Sequence, residues 1–225
     1  MSTLDALPTL GATARVMLAD EVYSVLQQAV LDGTLPPSAR VNAGELARRF
    51  GVSPTPVREA LARLESDGLV EKHPLKGYRT TDLLDPAQLG ELFELRLLLE
   101  PGTAGHAATR RSDTDVRALQ DEVARARGAI DEPDAYALLS QHDVRLHDLV
   151  FRSARNATAH TAYNRTHCHL HTYRLSYTGT YVPDTVDEHA RIVEAIAEGD
   201  AKKAERAMRT HVERSRSRLL LKFDR

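Results

Sequence analysis

The sequence predicts a mainly α-helical chain in two parts: a small N-terminal domain of three helices and a β-hairpin, then an all-α antiparallel bundle. Three observations carry this. Apolar residues recur at the 3.6-residue helical period over most of the 225 residues. Extended patterning is confined to two short runs, Leu69–Lys72 and Tyr78–Thr80. Beyond residue 81 no strand pattern occurs, and helical segments follow one another with short breaks.

Each element has its own local cause. Residues 1–14, with Pro8 and Gly11, read as a loose leader without the cationic and apolar regions of a signal peptide. Val22, Val25, Leu26, Ala29 and Val30 line one face of a helix from Leu18 to Asp32 that stops at Gly33. Leu35-Pro36-Pro37 is a rigid connector. Asn42 with Glu45 forms a capping-box pattern and opens a short helix through Phe50, closed by the tight turn Gly51-Val52. Ser53 is placed to cap a third helix, which confines Pro54 and Pro56 to its first turn and ends at Gly68. His73 to Gly77 joins the two extended runs. A boundary at Thr81–Leu84 separates domains over 15–81 and 82–225. Helices are then expected at 86–109 (bent or broken near Pro101), 113–128, 134–153, 157–177, 184–198 and 201–222, with Asp113, Asp134, Asp184 and Asp200 as caps.

Composition removes several function classes. Thirty basic against thirty-two acidic residues exclude a globally basic polyelectrolyte, and a single Cys excludes an internal disulfide. No run of apolar residues is long enough to span a bilayer, so a cytoplasmic protein is expected. The charge is uneven, however. From Pro37 to Thr80 eight Lys or Arg face five acids, a local excess of three in a chain whose total is −2.

Two short helices joined by a glycine turn, preceded by a helix and followed by a hairpin, make a winged helix-turn-helix, whose second helix reads the DNA major groove with its N-terminal residues. That end carries Ser53, Thr55 and Arg58; Arg48 and Arg49 end the preceding helix, and Lys76 lies in the hairpin. The string Gly33-Thr34-Leu35-Pro36-Pro37, Glu45-Leu46-Ala47, Gly51-Val52-Ser53-Pro54-Thr55-Pro56-Val57-Arg58-Glu59-Ala60-Leu61, Leu64 and Asp67-Gly68-Leu69-Val70 closely resembles the GntR superfamily of bacterial transcription regulators. The resemblance implies that Ser53, Thr55 and Arg58 contact DNA and that Gly77 sits at a wing tip in the minor groove. The family usually carries Arg where this chain has Pro54, and often where it has Gly44, which implies a different operator or weaker binding.

The ten His residues are the compositional oddity. Asp143 and His147 lie four apart on one face of a helix, beside Leu139, Leu146, Leu149 and Val150. His189 and His211 lie on later helices. An isolated His on such a face is more often a core residue than a ligand. The spacing Asp143, His147, His189, His211, together with Glu94-Leu95-Arg96, Leu99-Glu100, Asn156 and Glu198-Gly199-Asp200, resembles the metal-binding branch of the FCD domain, the helical effector domain of FadR-type regulators. The resemblance implies one divalent metal per chain (Zn, Ni or similar), held by those four residues in a cavity that also takes a small organic acid effector. Four ligands suit a closed tetrahedral site; a six-coordinate ion leaves room for a further ligand.

Arg96 is the candidate for a forked contact to an effector carboxylate, or else for a salt bridge to Glu100 or Glu94. Asn156 and Arg174 complete the effector set. His167, His169 and His171 crowd one expected helix; His167 and His171 share a face open to metal binding or a cavity wall, with a wet helix face the favoured reading. The expected partners are double-stranded operator DNA and a second copy of the chain, with no membrane, and repression is the commoner mode in the family. The competing reading is a metal-dependent hydrolase built on the dipeptide His142-Asp143 with His106 and Asp187; it leaves the first eighty residues without a role.

Overall fold

The computed structural model describes residues 18–74, 76–132, 135–176 and 184–223. The leader over 1–14 and the cap expected at Asp134 lie outside these. The chain divides into two compact units between Leu83 and Leu84.

The first unit contains α1 (Leu18–Leu31), β1 (Arg40–Val41), α2 (Ala43–Phe50), α3 (Pro54–Ser66), β2 (Val70–His73) and β3 (Gly77–Thr80). Val22, Leu26 and Val30 of α1 and Leu46 and Phe50 of α2 are buried with Val57, Leu61 and Leu64 of α3, as their helical spacing requires. The hairpin is three-stranded rather than two-stranded. Antiparallel β3 lies between β2 and β1, with Val41 opposite Tyr78. A two-residue strand is too short to leave a periodic trace in sequence, which is why β1 escapes prediction. Gly77 needs to be glycine twice over: its φ is 87°, and a Cβ there would lie 3.3 Å from the Val41 carbonyl oxygen.

The second unit is all helical among the described residues: α4 (Pro86–Arg110), α5 (Asp113–Gly128), α6 (Ala135–Ser153), α7 (Ala157–Asn164), α8 (Cys168–Ser176), α9 (Asp184–Glu198) and α10 (Ala201–Leu220). Leu89, Phe93, Leu119, Leu146, Ile192, Ile196, Met208 and Val212 form its main core. Three local expectations change. Helix α4 runs unbroken through Pro101. In the neighbouring turn the Thr103 hydroxyl donates to the Leu99 carbonyl at 2.7 Å, and Pro101 is itself buried. Ser112, not Asp113, caps α5, and its capping box is completed by Asp115. The single helix expected over 157–177 is two. The chain turns at 165–167, and His167 stands at φ 46°, so it precedes α8 rather than sharing a helix with His169 and His171.

Candidate functional site

In the first unit, Asn42 caps α2 by accepting from the backbone N–H groups of Gly44 and Glu45, and Gly51 closes it at φ 67°. Helix α3 starts differently. Ser53 holds the N-cap position, but its side chain makes no capping hydrogen bond among the described residues. The reason is local. Pro56 occupies the third helical position, so the N–H that an N-cap side chain commonly accepts from does not exist. The Ser53 hydroxyl therefore stands exposed at the helix start with Thr55 and Arg58. Arg48 and Lys76 are exposed as well, while Arg49 and Gly77 are partly covered. All seven residues expected to meet DNA belong to α2, α3 and the hairpin.

In the second unit, the bundle interior brings Asp143 and His147 of α6, His189 of α9 and His211 of α10 together, with one ligand atom from each within 4.8 Å of the others. The three imidazoles are essentially inaccessible. His189 Nε2 lies 3.3 Å from His211 Nε2 and 3.4 Å from Asp143 Oδ1, and His147 Nε2 lies 3.8 Å from the same oxygen. Donor pairs around an ion with bonds of about 2.1 Å stand about 3.0–3.4 Å apart, so this group is close to a coordination shell.

Each imidazole is held from behind. His147 Nδ1 faces Glu100 Oε2 of α4 at 2.6 Å, and His211 Nδ1 donates to Glu188 Oε2 of α9 at 3.0 Å. His189 Nδ1 meets His142 Nε2 at 2.9 Å, and His142 Nδ1 meets Glu122 Oε1 of α5 at 3.1 Å. The three carboxylates are paired with arginines in turn. Arg96 reaches Glu100 at 2.5 Å, Arg218 reaches Glu188 at 2.9 Å, and Arg145 reaches Glu122 at 3.0 Å, with Arg125 also on Glu122. Asp143 Oδ2 accepts from His169 Nδ1 at 2.6 Å, and Tyr163 Oη lies 2.7 Å from His169 Nε2. Such outer partners fix ring orientation and raise ligand basicity.

These contacts decide what the centre can hold. In its neutral form His211, whose Nδ1 donates to Glu188, leaves Nε2 as a lone pair 3.3 Å from His189 Nε2, and the Asp143 carboxylate adds a further acceptor, a set that a cation between them satisfies. Neither ring nitrogen of buried His147 has a hydrogen-bond partner among the described residues, although Nδ1 lies 2.6 Å from Glu100 Oε2. Burial pushes the His147 pKa down to about 4 and His189 well below its ordinary value, so both rings are neutral at pH 7, the form a metal requires. Burial alone would raise Glu100, but the Arg96 guanidinium and His147 outweigh it and hold Glu100 well below the usual carboxylate range. The residues present therefore fit a borderline divalent ion.

Of the expected effector residues, Arg96 is buried in its ion pair with Glu100 and lies over the Phe93 ring at 5.0 Å. Arg174 is buried on α8. Asn156 is exposed and caps α7, accepting from Ala159 N at 3.1 Å. Of the outer residues, Glu122 and Glu188 were not singled out in sequence, and His142 and His169 were named there without this role. His142, considered in sequence only for the hydrolase reading, is buried between Glu122 and His189. His160 Nε2 donates to Asp148 Oδ1 at 2.7 Å. The hydrolase set does not assemble. His106 is exposed on α4, and exposed Asp187 pairs with Arg127 at 3.5 Å. A separate groove of about 490 Å³ between α5 and α9, lined by Val123, Arg127, Val193 and Glu194, touches none of Asp143, His147, His189 and His211.

Comparison with known proteins agrees in both units. Residues 18–79 match the model for bacterial regulatory proteins of the gntR family, and residues 91–214 match the FCD domain. An "uncharacterized HTH-type transcriptional regulator in unstable DNA locus" of Streptomyces ambofaciens is 32% identical over 195 residues, covering 85% of this chain and 80% of the relative. A "probable D-xylose utilization operon transcriptional repressor" of Paenarthrobacter nicotinovorans is 30% identical over 200 residues, covering 88% and 87%. The solved structure of McbR/YncC from E. coli shares the fold, with a TM-score of 0.76 at 18% identity over 92% of this chain and 98% of that one. Among the described residues no helix is long and apolar enough to cross a membrane. A gntR-type winged helix-turn-helix followed by an FCD bundle identifies the chain as a member of the GntR family of DNA-binding transcriptional regulators, not an enzyme.

Proposed function

We propose that this regulator is a homodimeric repressor whose operator affinity changes when a small carboxylate-bearing metabolite binds beside one divalent ion held by Asp143, His147, His189 and His211. The observation that carries the reading is the convergence of three buried imidazole nitrogens and one carboxylate oxygen, each imidazole braced from behind. An ion such as Zn or Ni supplies a Lewis-acidic anchor for an anionic ligand. Arg96 gives its Nε and one terminal nitrogen to Glu100, and the rest of its guanidinium fork is suited to an effector carboxylate. Arg174 adds a second buried positive charge on α8. Asn156 spends its side-chain oxygen on the α7 cap, which leaves only its amide N–H groups for an effector.

In the DNA-reading head, Ser53, Thr55 and Arg58 address base edges and phosphates, Arg48, Arg49 and Lys76 address phosphates, and Gly77 lets the wing approach the duplex closely. Repression is supported by the printed name of the Paenarthrobacter relative. The test uses an operator duplex selected from a random pool by the protein itself. Small acids released from natively purified protein are identified by mass spectrometry and added back to a fluorescence-polarisation titration. Operator affinity is expected to shift by about 5–150-fold, the usual range of such coupling. An affinity unmoved by any released acid contradicts the effector reading.

A further inference from the structure

The three ligand imidazoles are not braced alike. His147 and His211 each meet a carboxylate directly, at 2.6 and 3.0 Å, whereas a second imidazole, His142, stands between His189 and its carboxylate. We infer that His142 is a positioning residue of the metal centre: pinned by Glu122, it accepts from His189 Nδ1 and so fixes the His189 tautomer that leaves Nε2 bare toward Asp143 and His211. The inference rests on the metal reading above.

The proton count enforces this. Glu122 is 2% exposed, is bracketed by Arg125 and Arg145, and as a carboxylate has only acceptors to offer. Its contact with His142 Nδ1 at 3.1 Å therefore places the N–H of a neutral His142 on Nδ1. His142 Nε2 is then a lone pair, and the 2.9 Å contact with His189 exists only if His189 Nδ1 carries the proton. In the other His189 tautomer two lone pairs would oppose each other at that distance, and an N–H would fill the position 3.4 Å from Asp143 Oδ1. His142 is 2% exposed, which keeps bulk water from taking over its part. The line Glu122–His142–His189 joins α5, α6 and α9, so it also fixes the ring of a ligand whose own helix supplies no brace for it.

The test compares two substitutions in the full chain. His142→Gln places Oε1 near the position of Nε2 and keeps the acceptor, whereas His142→Leu keeps bulk and removes it. Two quantities are read: zinc affinity by competition with a chromophoric chelator, and the His189 tautomer by imidazole ¹⁵N NMR of metal-stripped protein. The Leu variant is expected to bind zinc about 10–100-fold more weakly and the Gln variant within about threefold of the parent, the loss usual for outer-shell partners. The parent and the Gln variant are expected to show His189 as the Nδ1–H form, and the Leu variant to lose it. If His142→Leu does not fold, His142→Asn, too short to reach His189, takes its place. A folded Leu or Asn variant with parental zinc affinity and an unchanged His189 tautomer overturns the inference, as does a parent whose His189 carries its proton on Nε2. A parent with the Nδ1–H form that binds no zinc overturns the metal reading instead.

Discussion

Arg96 illustrates how single residues in this bundle take their meaning from partners distant in sequence. It lies on the same helix face as Glu100, four residues on, and both are almost fully buried. Removing the guanidinium would leave Glu100 charged and uncompensated in the interior. Arg96→Ala is therefore expected to lower unfolding free energy by about 3–5 kcal/mol, read by urea denaturation of the metal-free protein. A loss below 1 kcal/mol, on the order of a surface pair, would contradict the burial described. Asp143 and His147 were picked out in sequence through the spacing they share with His189 and His211, which resembles the FCD set, since a pair four apart on a helix is by itself a weak signal. Their braces were not. Glu122 looks like any solvated helix acid, and only tertiary packing brings it to His142. Glu188 and His142 sit next to ligands in the chain, but adjacent helical positions point about 100° apart, so adjacency carries no hint of shared purpose.

At the scale of elements, the helix starts carry much of the sequence's information and most of its errors. Asp85, Ser112 and Asp200 each cap a helix by accepting from a backbone N–H; the sequence placed the α5 cap one residue late, at Asp113, and Ser53 starts α3 without the capping hydrogen bond expected of it. Ser112→Ala should destabilise α5 by about 1 kcal/mol, seen as a lower thermal midpoint. Its box partner Asp115 carries a pH signature. Burial raises Asp115, but the Ser112 hydrogen bonds and Arg155 together outweigh it and lower its pKa. A depressed folded pKa means stabilisation that is complete above the ordinary Asp range and lost as pH falls through the lowered value. Asp115→Asn should thus narrow the gap in stability between pH 6 and pH 3, and an unchanged gap would contradict the assignment. The break between α7 and α8 was illegible because no Pro or Gly marks it; the turn is made by Arg165, Thr166 and a left-handed His167. Helix α3 is the proposed reading element. Arg58→Ala there is expected to weaken operator binding by about 1–3 kcal/mol if the guanidinium forks to a base edge. Equal binding by the variant would remove Arg58 from the interface.

For the whole molecule, a net charge of −2 averages over two unlike units. The local excess of basic residues between Pro37 and Thr80 lies in the first unit, and the buried imidazoles and carboxylates with their arginine partners lie in the second. Operator affinity should accordingly fall with salt despite the acidic total, with a log–log slope of about −0.9 per phosphate contacted. The division into two helical units was legible because hydrophobic period and turn residues are local. The closed centre of the bundle was legible only as a spacing pattern, since its geometry depends on six helices meeting. That centre is also where the account is most exposed. Elemental analysis of protein purified without chelators, beside its folded His189→Ala variant, tests it most directly. About one divalent ion per parent chain, and none in the variant, is the predicted result, since loss of a buried ligand opens the shell. A parent chain free of metal, or a variant that keeps it, would contradict the assignment of Asp143, His147, His189 and His211 as a metal site.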